Sequence, residues 1–242
     1  MDKNLNILII GYGKMGKEIE TVAHSKKHQI VYKIDQASDW QSLKVDEVDV
    51  AIDFSIPEKA VSNIFKCLDL NIPLIMGTTG WYDTMEEIEE EVKKRNAAFL
   101  WASNFSLGVN ILFHMNEKLA SLMKDFDYQT GIHEIHHIQK LDAPSGTAIS
   151  LANGILSNTE KYHSWELIKK DQTPQENKLP ITYGREGDVK GTHIVTYENE
   201  IDKIGLKHEA KSRKGFAVGA VLAAEWLVGK QGFFSIKDVL GF

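Results

Sequence analysis

The sequence predicts an α/β chain: a parallel sheet over its first half, then a second half of mixed α+β character. Three observations carry this. An apolar run, Leu5 to Ile10, leads straight into glycines at positions 11, 13 and 16. Strand-like and helix-like segments then alternate over roughly the first hundred residues, as a parallel sheet requires. Beyond that point the alternation stops and the spacing becomes irregular.

Each element follows from its pattern. Leu5 to Ile10 is apolar apart from Asn6, as expected of a strand covered on both faces. A helical stretch runs from the glycines to about His24, followed by strands in "IVYKID" and "VDVAIDFS". From Pro57 to Leu70, Ala60, Val61, Ile64, Phe65 and Leu68 share one helical face. "PLIMGTTG" is a strand ending in a glycine turn. "YDTMEEIEEEVKKRN" is an exposed helix, with acids early and bases late as its dipole favours. "AAFLWASNFS" is a strand and its exit loop. The second half opens with a long helix, Gly108 to Lys124. "FDYQTGIHEIHH" comes next, strand-like with Phe126, Tyr128, Thr130 and Ile132 on one face. A helix spans Ser145 to Leu156, and a polar, irregular stretch with Pro174 and Pro180 spans Ser157 to Gly191. "THIVTYEN" and "KIGLKHEA" are strands joined by a turn near Ile201–Asp202, and Gly215 to Val228 is a strongly apolar helix. A domain boundary is expected between Asn104 and Gly108.

With 242 residues, 43% of them hydrophobic, the chain has ample material for a core. A formal charge of −6 and a pI near 5.9 leave no electrostatic footprint for nucleic acid. Cys67 is the only cysteine, so disulfides and cysteine-rich metal sites within one chain are excluded; its place on an inner helix face reads as a structural thiol. No run approaches the roughly 18 apolar residues of a membrane span, and no signal-peptide pattern is present. The expectation is a soluble cytoplasmic protein without nucleic-acid or membrane partners.

Gly11, Tyr12, Gly13, Lys14, Met15 and Gly16 form G-x-G-x-x-G between an apolar strand and a helix. Such glycines allow a tight turn, close approach of backbone to a pyrophosphate, and close helix–strand packing; the helix start then faces the phosphates. Asp35 ends the second strand, where a carboxylate binds ribose hydroxyls. "DFS", with Phe54, and "GTTG", with Gly77, Thr78 and Thr79, lie after the third and fourth strands and border the same crevice in a doubly wound sheet. "GTTG" alone is as well explained as a plain turn. Together these segments point to a Rossmann dinucleotide-binding domain.

"HEIHHIQKLDAPSGTA", residues 133–148, also spells H-E-x-x-H, the zinc-protease pattern. That chemistry needs a helix, and Gly131 with β-favouring Tyr128, Thr130 and Ile132 argues for a strand, so no metal is expected. The alternatives are ordinary, partly exposed histidines or a site. The site reading rests on the segment immediately C-terminal to them. Pro144 with Ser145 or Asp142 starts a helix whose amides near Gly146 and Thr147 form an anion cradle. Lys140 adds a cation, and an imidazole adds a proton. A dinucleotide domain, a carboxylate cradle and a proton donor suggest a reductase of a small unsaturated or imine acid.

"EIHHIQKLDAPSGTA" resembles the signature of the 4-hydroxy-tetrahydrodipicolinate reductase family, also called dihydrodipicolinate reductase, of bacterial lysine and diaminopimelate synthesis. "GYGKMG", "DFSIPE", "GTTG", "ASNFSLGVN", "GREGDVKGTH" and "HEAKSRKGFAVGA" occur in the family's order along the whole chain. The glycine loop is shorter than the commoner G-x-x-G-R-M-G form, and Lys14 stands at that form's arginine. The resemblance implies a dinucleotide-binding domain over 1–106 plus 214–242, and a substrate-binding and tetramerisation domain over 107–213. It implies hydride delivery to C4 of the dihydropyridine dicarboxylate formed when the hydroxy substrate loses water. His136 is then the proton donor, directly or through a held water, and Lys140 a second donor or a fixed charge. His137, Ser145, Gly146 and Thr147 contact substrate. Ala102, Ser103, Asn104 and Phe105 lie at the nicotinamide side, with Arg213 and Phe216 near the cofactor. The rivals are another two-domain dehydrogenase acting on an amino acid and an NAD-binding sensor without catalysis; neither explains the signature. NADH or NADPH is expected, with NADH favoured. Asp35 is followed by Gln36, no arginine precedes Arg95, and the nearest cations in sequence are Lys33 and Lys14.

Overall fold

A computed structural model describes residues 4–169 and 172–242. Residues 1–3, and the two positions 170 and 171 in the stretch read as irregular, lie outside the described residues. The chain divides into two compact units, 1–107 with 213–242, and 108–212.

The first unit is a six-stranded parallel sheet. Its strands are β1 (Asn6–Ile10), β2 (Gln29–Ile34), β3 (Val50–Asp53), β4 (Leu74–Met76), β5 (Ala98–Trp101) and β11 (Gly232–Ser235), in the order β11-β5-β4-β3-β1-β2. The apolar run of β1 is explained by its central place. Ile7 and Ile9 pack toward α1 (Lys14–Ser25) and α6 (Lys214–Leu227). Leu8 and Ile10 pack toward α2 (Pro57–Asp69) and α3 (Met85–Lys94). Full burial of each such side chain stabilises by about 1.5–3 kcal/mol relative to exposure. Because β2 and β3 lie on opposite sides of β1, the loops after β1 and β3 diverge and open a crevice at the strands' carboxyl ends. The α3 helix is not wholly exposed: Ile88 and Val92 are buried, four residues apart on one face.

The chain's end adds β11 and α7 (Ile236–Leu240), to which the sequence patterns assign no element. β11 pairs in parallel with β5, and Phe233 stacks on Phe99 at 5.2 Å between centroids. The legible signal is the capping box: Ser235 and Asp238 satisfy the first amides of α7 reciprocally.

The second unit contains α4 (Leu107–Met123) after its first residue, β6 (Gln129–His136), α5 (Gly146–Leu156), β7 (Ser164–Leu167), β8 (Lys178–Arg185), β9 (Thr192–Glu198) and β10 (Lys203–Glu209). The sheet order is β10-β9-β6-β8-β7, with β9 antiparallel to both neighbours and β6, β8 and β7 mutually parallel. Leu112, Ala120, Leu151, Ala152 and Ile155 of α4 and α5 cover Ile132, Leu179, Ile181 and Val195 of the sheet. The stretch expected to be irregular therefore holds two strands. Its period-two signal, buried Leu179 and Ile181 around half-buried Pro180, is masked by the proline, which sheets normally exclude from interior strands. No helix among the described residues is long and apolar enough to cross a membrane.

Gly219 of α6 packs on the backbone of Phe105: a Cβ there would fall 1.7 Å from the Phe105 carbonyl oxygen. Alanine gains about 1 kcal/mol of helix propensity over glycine. The overlap must move either the helix or the 102–105 loop, which costs more. Gly219→Ala should thus lose about 1–3 kcal/mol in urea unfolding; a stabilised variant would refute this packing.

Candidate active site

In the first unit the glycine loop is built by exclusion. Gly11 has φ +86°, and a Cβ on it would lie 2.4 Å from the Phe54 carbonyl oxygen. A Cβ on Gly16 would lie 2.4 Å from the Gly11 carbonyl oxygen. Gly13, the N-cap of α1, has nothing within 4 Å of such an atom, and no side chain caps that helix. The start of α1 is thus bare and sterically open, which is what a pyrophosphate requires. Lys14 is exposed at the first helical position, whereas Met15 packs into the core beneath.

Asp35 anchors this loop, its Oδ1 accepting the Tyr12 N–H at 3.3 Å. The Tyr12 hydroxyl donates to Glu20 and accepts from Lys33 Nζ at 2.9 Å. Lys33 Nζ also lies 2.8 Å from Glu20 and 4.1 Å from the centre of the Tyr12 ring. Lys33 holds the Glu20 carboxyl below its ordinary range, with the Tyr12 hydrogen bond acting in the same direction.

The loops after β3 and β4 are joined by the fully buried carboxylate of Asp53. It accepts from the Thr78 hydroxyl at 2.7 Å, the Ser55 amide at 2.8 Å, the Ser55 hydroxyl at 2.7 Å and Asn63 Nδ2 at 2.8 Å. Burial still leaves its pKa raised. The Thr78 hydroxyl is committed to this network, while Thr79 is exposed. Gly77 makes room for Phe54, whose ring atoms would come within 2.3 Å of a Cβ there. Phe54 in turn packs 5.7 Å from the Phe105 ring. Ala102 and Phe105 are buried, Ser103 is exposed, and Asn104 Oδ1 accepts the Ser106 amide at 2.8 Å. A cavity of about 350 Å³ is bordered by Gly11, Gly13, Asp35, Gln36, Phe54 and Ser55, among others.

In the second unit, β6 decides the histidine question. Its alternation buries Thr130, Ile132, Glu134 and His136 and leaves His133 and Ile135 half-buried. His133 and His137 lie about 13 Å apart along an extended chain, with Glu134 on the opposite face, so the helical zinc geometry does not form. Among the described residues, Glu134, His136 and His193 do offer donor atoms within 4.8 Å of one another. The Arg185 guanidinium lies 3.7 Å from Glu134, a fixed positive charge that opposes a cation there.

Glu134 is fully buried and accepts the Ser145 amide on both oxygens, at 3.2 and 3.1 Å. His136 Nδ1 stands 3.7 Å from it and His193 Nε2 3.8 Å. Ser145 caps α5, its hydroxyl accepting the Ala148 amide at 3.2 Å and meeting His193 Nε2 at 3.2 Å. With those two amides taken, Gly146 and Thr147 supply the free N–H groups of the first turn, and Gly146 has open space where a Cβ would be. Arg185 donates to the carbonyls of Lys140 at 3.0 Å and Asp142 at 2.7 Å, holding the loop in place. The Lys140 ammonium lies 2.6 Å from Asp142.

Burial lowers the pKa of His136, partly opposed by Glu134. Burial, reinforced by the neighbouring His136, His208 and Lys140, pushes His193 down to about 3. The Nδ1 atoms of His136, His137 and His193 are buried with no hydrogen-bond partner. Glu134 thus joins His136 to Ser145 at the start of α5, where Gly146 and Thr147 follow; Lys140 lies near enough to act on the His136 charge, and His137 adjoins His136 in sequence. Three neighbours have no role assigned from sequence: Glu134, Arg185 and His193. Glu134 is legible, since period two along β6 drives a carboxylate inside, where it must find partners. Arg185 and His193 come from other strands; both lie in the "GREGDVKGTH" segment, whose only signal in the sequence is the family resemblance.

Comparisons with known proteins agree with both halves. The family model described as dihydrodipicolinate reductase, N-terminus, matches residues 5–105, and its C-terminus counterpart matches 108–240. A 4-hydroxy-tetrahydrodipicolinate reductase of Christiangramia forsetii is 51% identical, over 98% of each chain. One from Thermosipho africanus is 35% identical over 96% of each. A dipicolinate-bound dihydrodipicolinate reductase structure from Paenisporosarcina sp. TG-14 superposes with a TM-score of 0.79, at 22% identity, over 98% of this chain and 99% of that one, and shares the fold.

A buried histidine kept neutral destabilises the native state in acid. The unfolded chain takes up its proton near pH 6.5 and the native His193 only near 3. Stability contributed by His193 is therefore full above about pH 6.5 and is lost as pH falls through that window, at about 1.4 kcal/mol per pH unit. His193→Gln should flatten the acid limb of a urea-unfolding series by close to one proton; an unchanged slope would remove His193 as its source. From the signature, both family models and relatives at 51% and 35% identity, the chain belongs to the 4-hydroxy-tetrahydrodipicolinate reductase (dihydrodipicolinate reductase) family.

Proposed function

We propose that the chain uses NADH or NADPH to reduce the dihydrodipicolinate formed from 4-hydroxy-tetrahydrodipicolinate, yielding tetrahydrodipicolinate for lysine and diaminopimelate synthesis. The observation that carries this is the gathering of His136, Glu134 and the Ser145 cap at the start of α5, where no side chain takes the Gly146 and Thr147 amides, in a member of this family. The bare start of α1 fits a dinucleotide pyrophosphate, with the glycine loop, Asp35, Phe54, Gly77–Thr79 and Ala102–Phe105 as its surroundings.

When bound, the dihydronicotinamide supplies the hydride. The protein's part is charge and proton placement. Gly146, Thr147 and Lys140 hold a ring carboxylate, with Lys140 giving up or sharing Asp142. Burial lowers the pKa of His136. A dicarboxylate brings negative charge beside it and raises its pKa, so substrate itself favours the protonated donor. The proton reaches the ring from His136 or from a water that it holds. Fixed cations around the site stabilise electron density that builds along the ring.

We assign substrate binding and tetramer contacts to the second unit and place the enzyme in the cytoplasm. Exposed Ile111, Met115, Leu122, Phe126 and Ile204 on that unit support an oligomer. NADH is the favoured donor, since Asp35 meets a 2′-phosphate with like charge.

The decisive assay makes the substrate in situ with the preceding synthase and monitors NAD(P)H oxidation by absorbance. No oxidation by folded protein would end the proposal. Lys140→Ala should lose about 1.5–3 kcal/mol of substrate stabilisation, visible in KM and kcat together. His136→Ala should cut turnover by about 10² or more while the dinucleotide Kd stays within a factor of two or so. Wild-type rates in either variant contradict these roles. Chelators should leave turnover intact; stoichiometric zinc with activity lost on its removal would instead install a metal at Glu134, His136 and His193.

A further inference from the structure

We infer that Lys59, seconded by Lys66 two turns further along the same helix, is the cation that admits the 2′-phosphate of NADPH to the adenosine cavity. This rests on the proposed dinucleotide site and concerns which residues set the choice of nicotinamide.

The cations nearest in sequence are unsuited. Lys33 is held by Glu20 at 2.8 Å and by the Tyr12 hydroxyl at 2.9 Å. Lys14 stands at the start of α1 and does not line the cavity. The first arginine, Arg95, pairs with Asp69 at 2.6 Å and Glu91 at 2.8 Å. Two amides of the loop after β2 are also taken. The amides of Asp35 and Gln36 both donate to the Asp39 carboxylate, at 2.8 and 2.7 Å. Asp35 and Asp39 thus bring two negative charges to the ribose end, and these two amides are occupied.

The compensating charge comes from α2. Lys59 Nζ lies 3.3 Å from the Asp35 carbonyl oxygen and lines the cavity with Asp35, Gln36 and Trp40. Lys66 lines the same cavity, its ammonium 5.1 Å from the centre of the Trp40 ring. A phosphate beside Asp35 would meet Lys59 first. Lys59 is exposed, so the contact is screened and salt-dependent, and NADPH is accepted without being preferred.

The test measures equilibrium binding of NADH, NADPH, adenosine 5′-monophosphate and adenosine 2′,5′-bisphosphate at two salt concentrations, by calorimetry or nucleotide fluorescence. Lys59→Ala should weaken NADPH and the bisphosphate by about fivefold to tenfold and NADH by less than about twofold, with a smaller salt dependence for NADPH. Lys59→Arg should restore the phosphate-bearing ligands. Lys59→Ala,Lys66→Ala should widen the gap. Equal loss for NADH and NADPH, no loss for either, or a selective NADPH defect in Lys14→Ala or Lys33→Ala alone would overturn the assignment. So would a wild-type protein that binds NADH and not NADPH. Wild-type protein that binds no dinucleotide would overturn the broader reading instead.

Discussion

A carboxylate removed from water needs hydrogen bonds or opposite charge in place of its hydration, and each unit of this protein is arranged around one such carboxylate. Asp53 and Glu134 are both fully buried. An ionised carboxylate in that position is tolerable only when hydrogen bonds and opposite charge replace its hydration. Asp53 draws partners from the loops after β3 and β4 and from α2, so its demands fix three walls of the dinucleotide crevice together. Glu134 draws the start of α5, the end of β8 and the beginning of β9 toward the end of β6. In both units the bonds that satisfy the carboxylate also set the loops that face a ligand.

In the second unit this arrangement leaves the chemistry unfinished until substrate arrives. Glu134 faces two imidazoles without hydrogen-bonding either, at 3.7 and 3.8 Å, and Arg185 balances its charge. Burial then keeps His136 and His193 from taking up protons readily. An anionic ligand changes that balance at His136, because it adds negative charge where the site has none to spare. On the function proposed above, proton donation by His136 would be linked to occupancy by the charge of the substrate.

At the dinucleotide end, close approach matters more than charge. Gly11, Gly16 and Gly77 each occupy a place where one more carbon would overlap neighbouring atoms at 2.3–2.4 Å. Gly13 and Gly146, by contrast, are among the glycines where a Cβ would meet open space, and they stand at the starts of α1 and α5. One residue type thus serves packing in the first set and access in the second.

Local pattern carries much of this. The apolar run of β1, the face of α2, the period-two β6 that excludes a zincin helix, and Ser145 at the start of α5 are all legible. So is the signature that indicates the family. What is not legible is hidden for physical reasons. Pro180 disguises β8, and nothing local could show that β11 would find an edge at β5 across more than a hundred residues. Lys33 looks available beside Asp35 because strand alternation gives direction but not partners; Glu20, on α1, takes its charge. Arg185, His193 and Lys59 reach their sites from distant segments. By itself the sequence determined the α-helices other than α7, most strands, the glycine loop and the 133–148 signature, since short-range sterics and periodicity govern these. The tertiary structure alone decided which charges are spent on one another and which remain to meet a ligand, because pairing depends on distances that only folding sets.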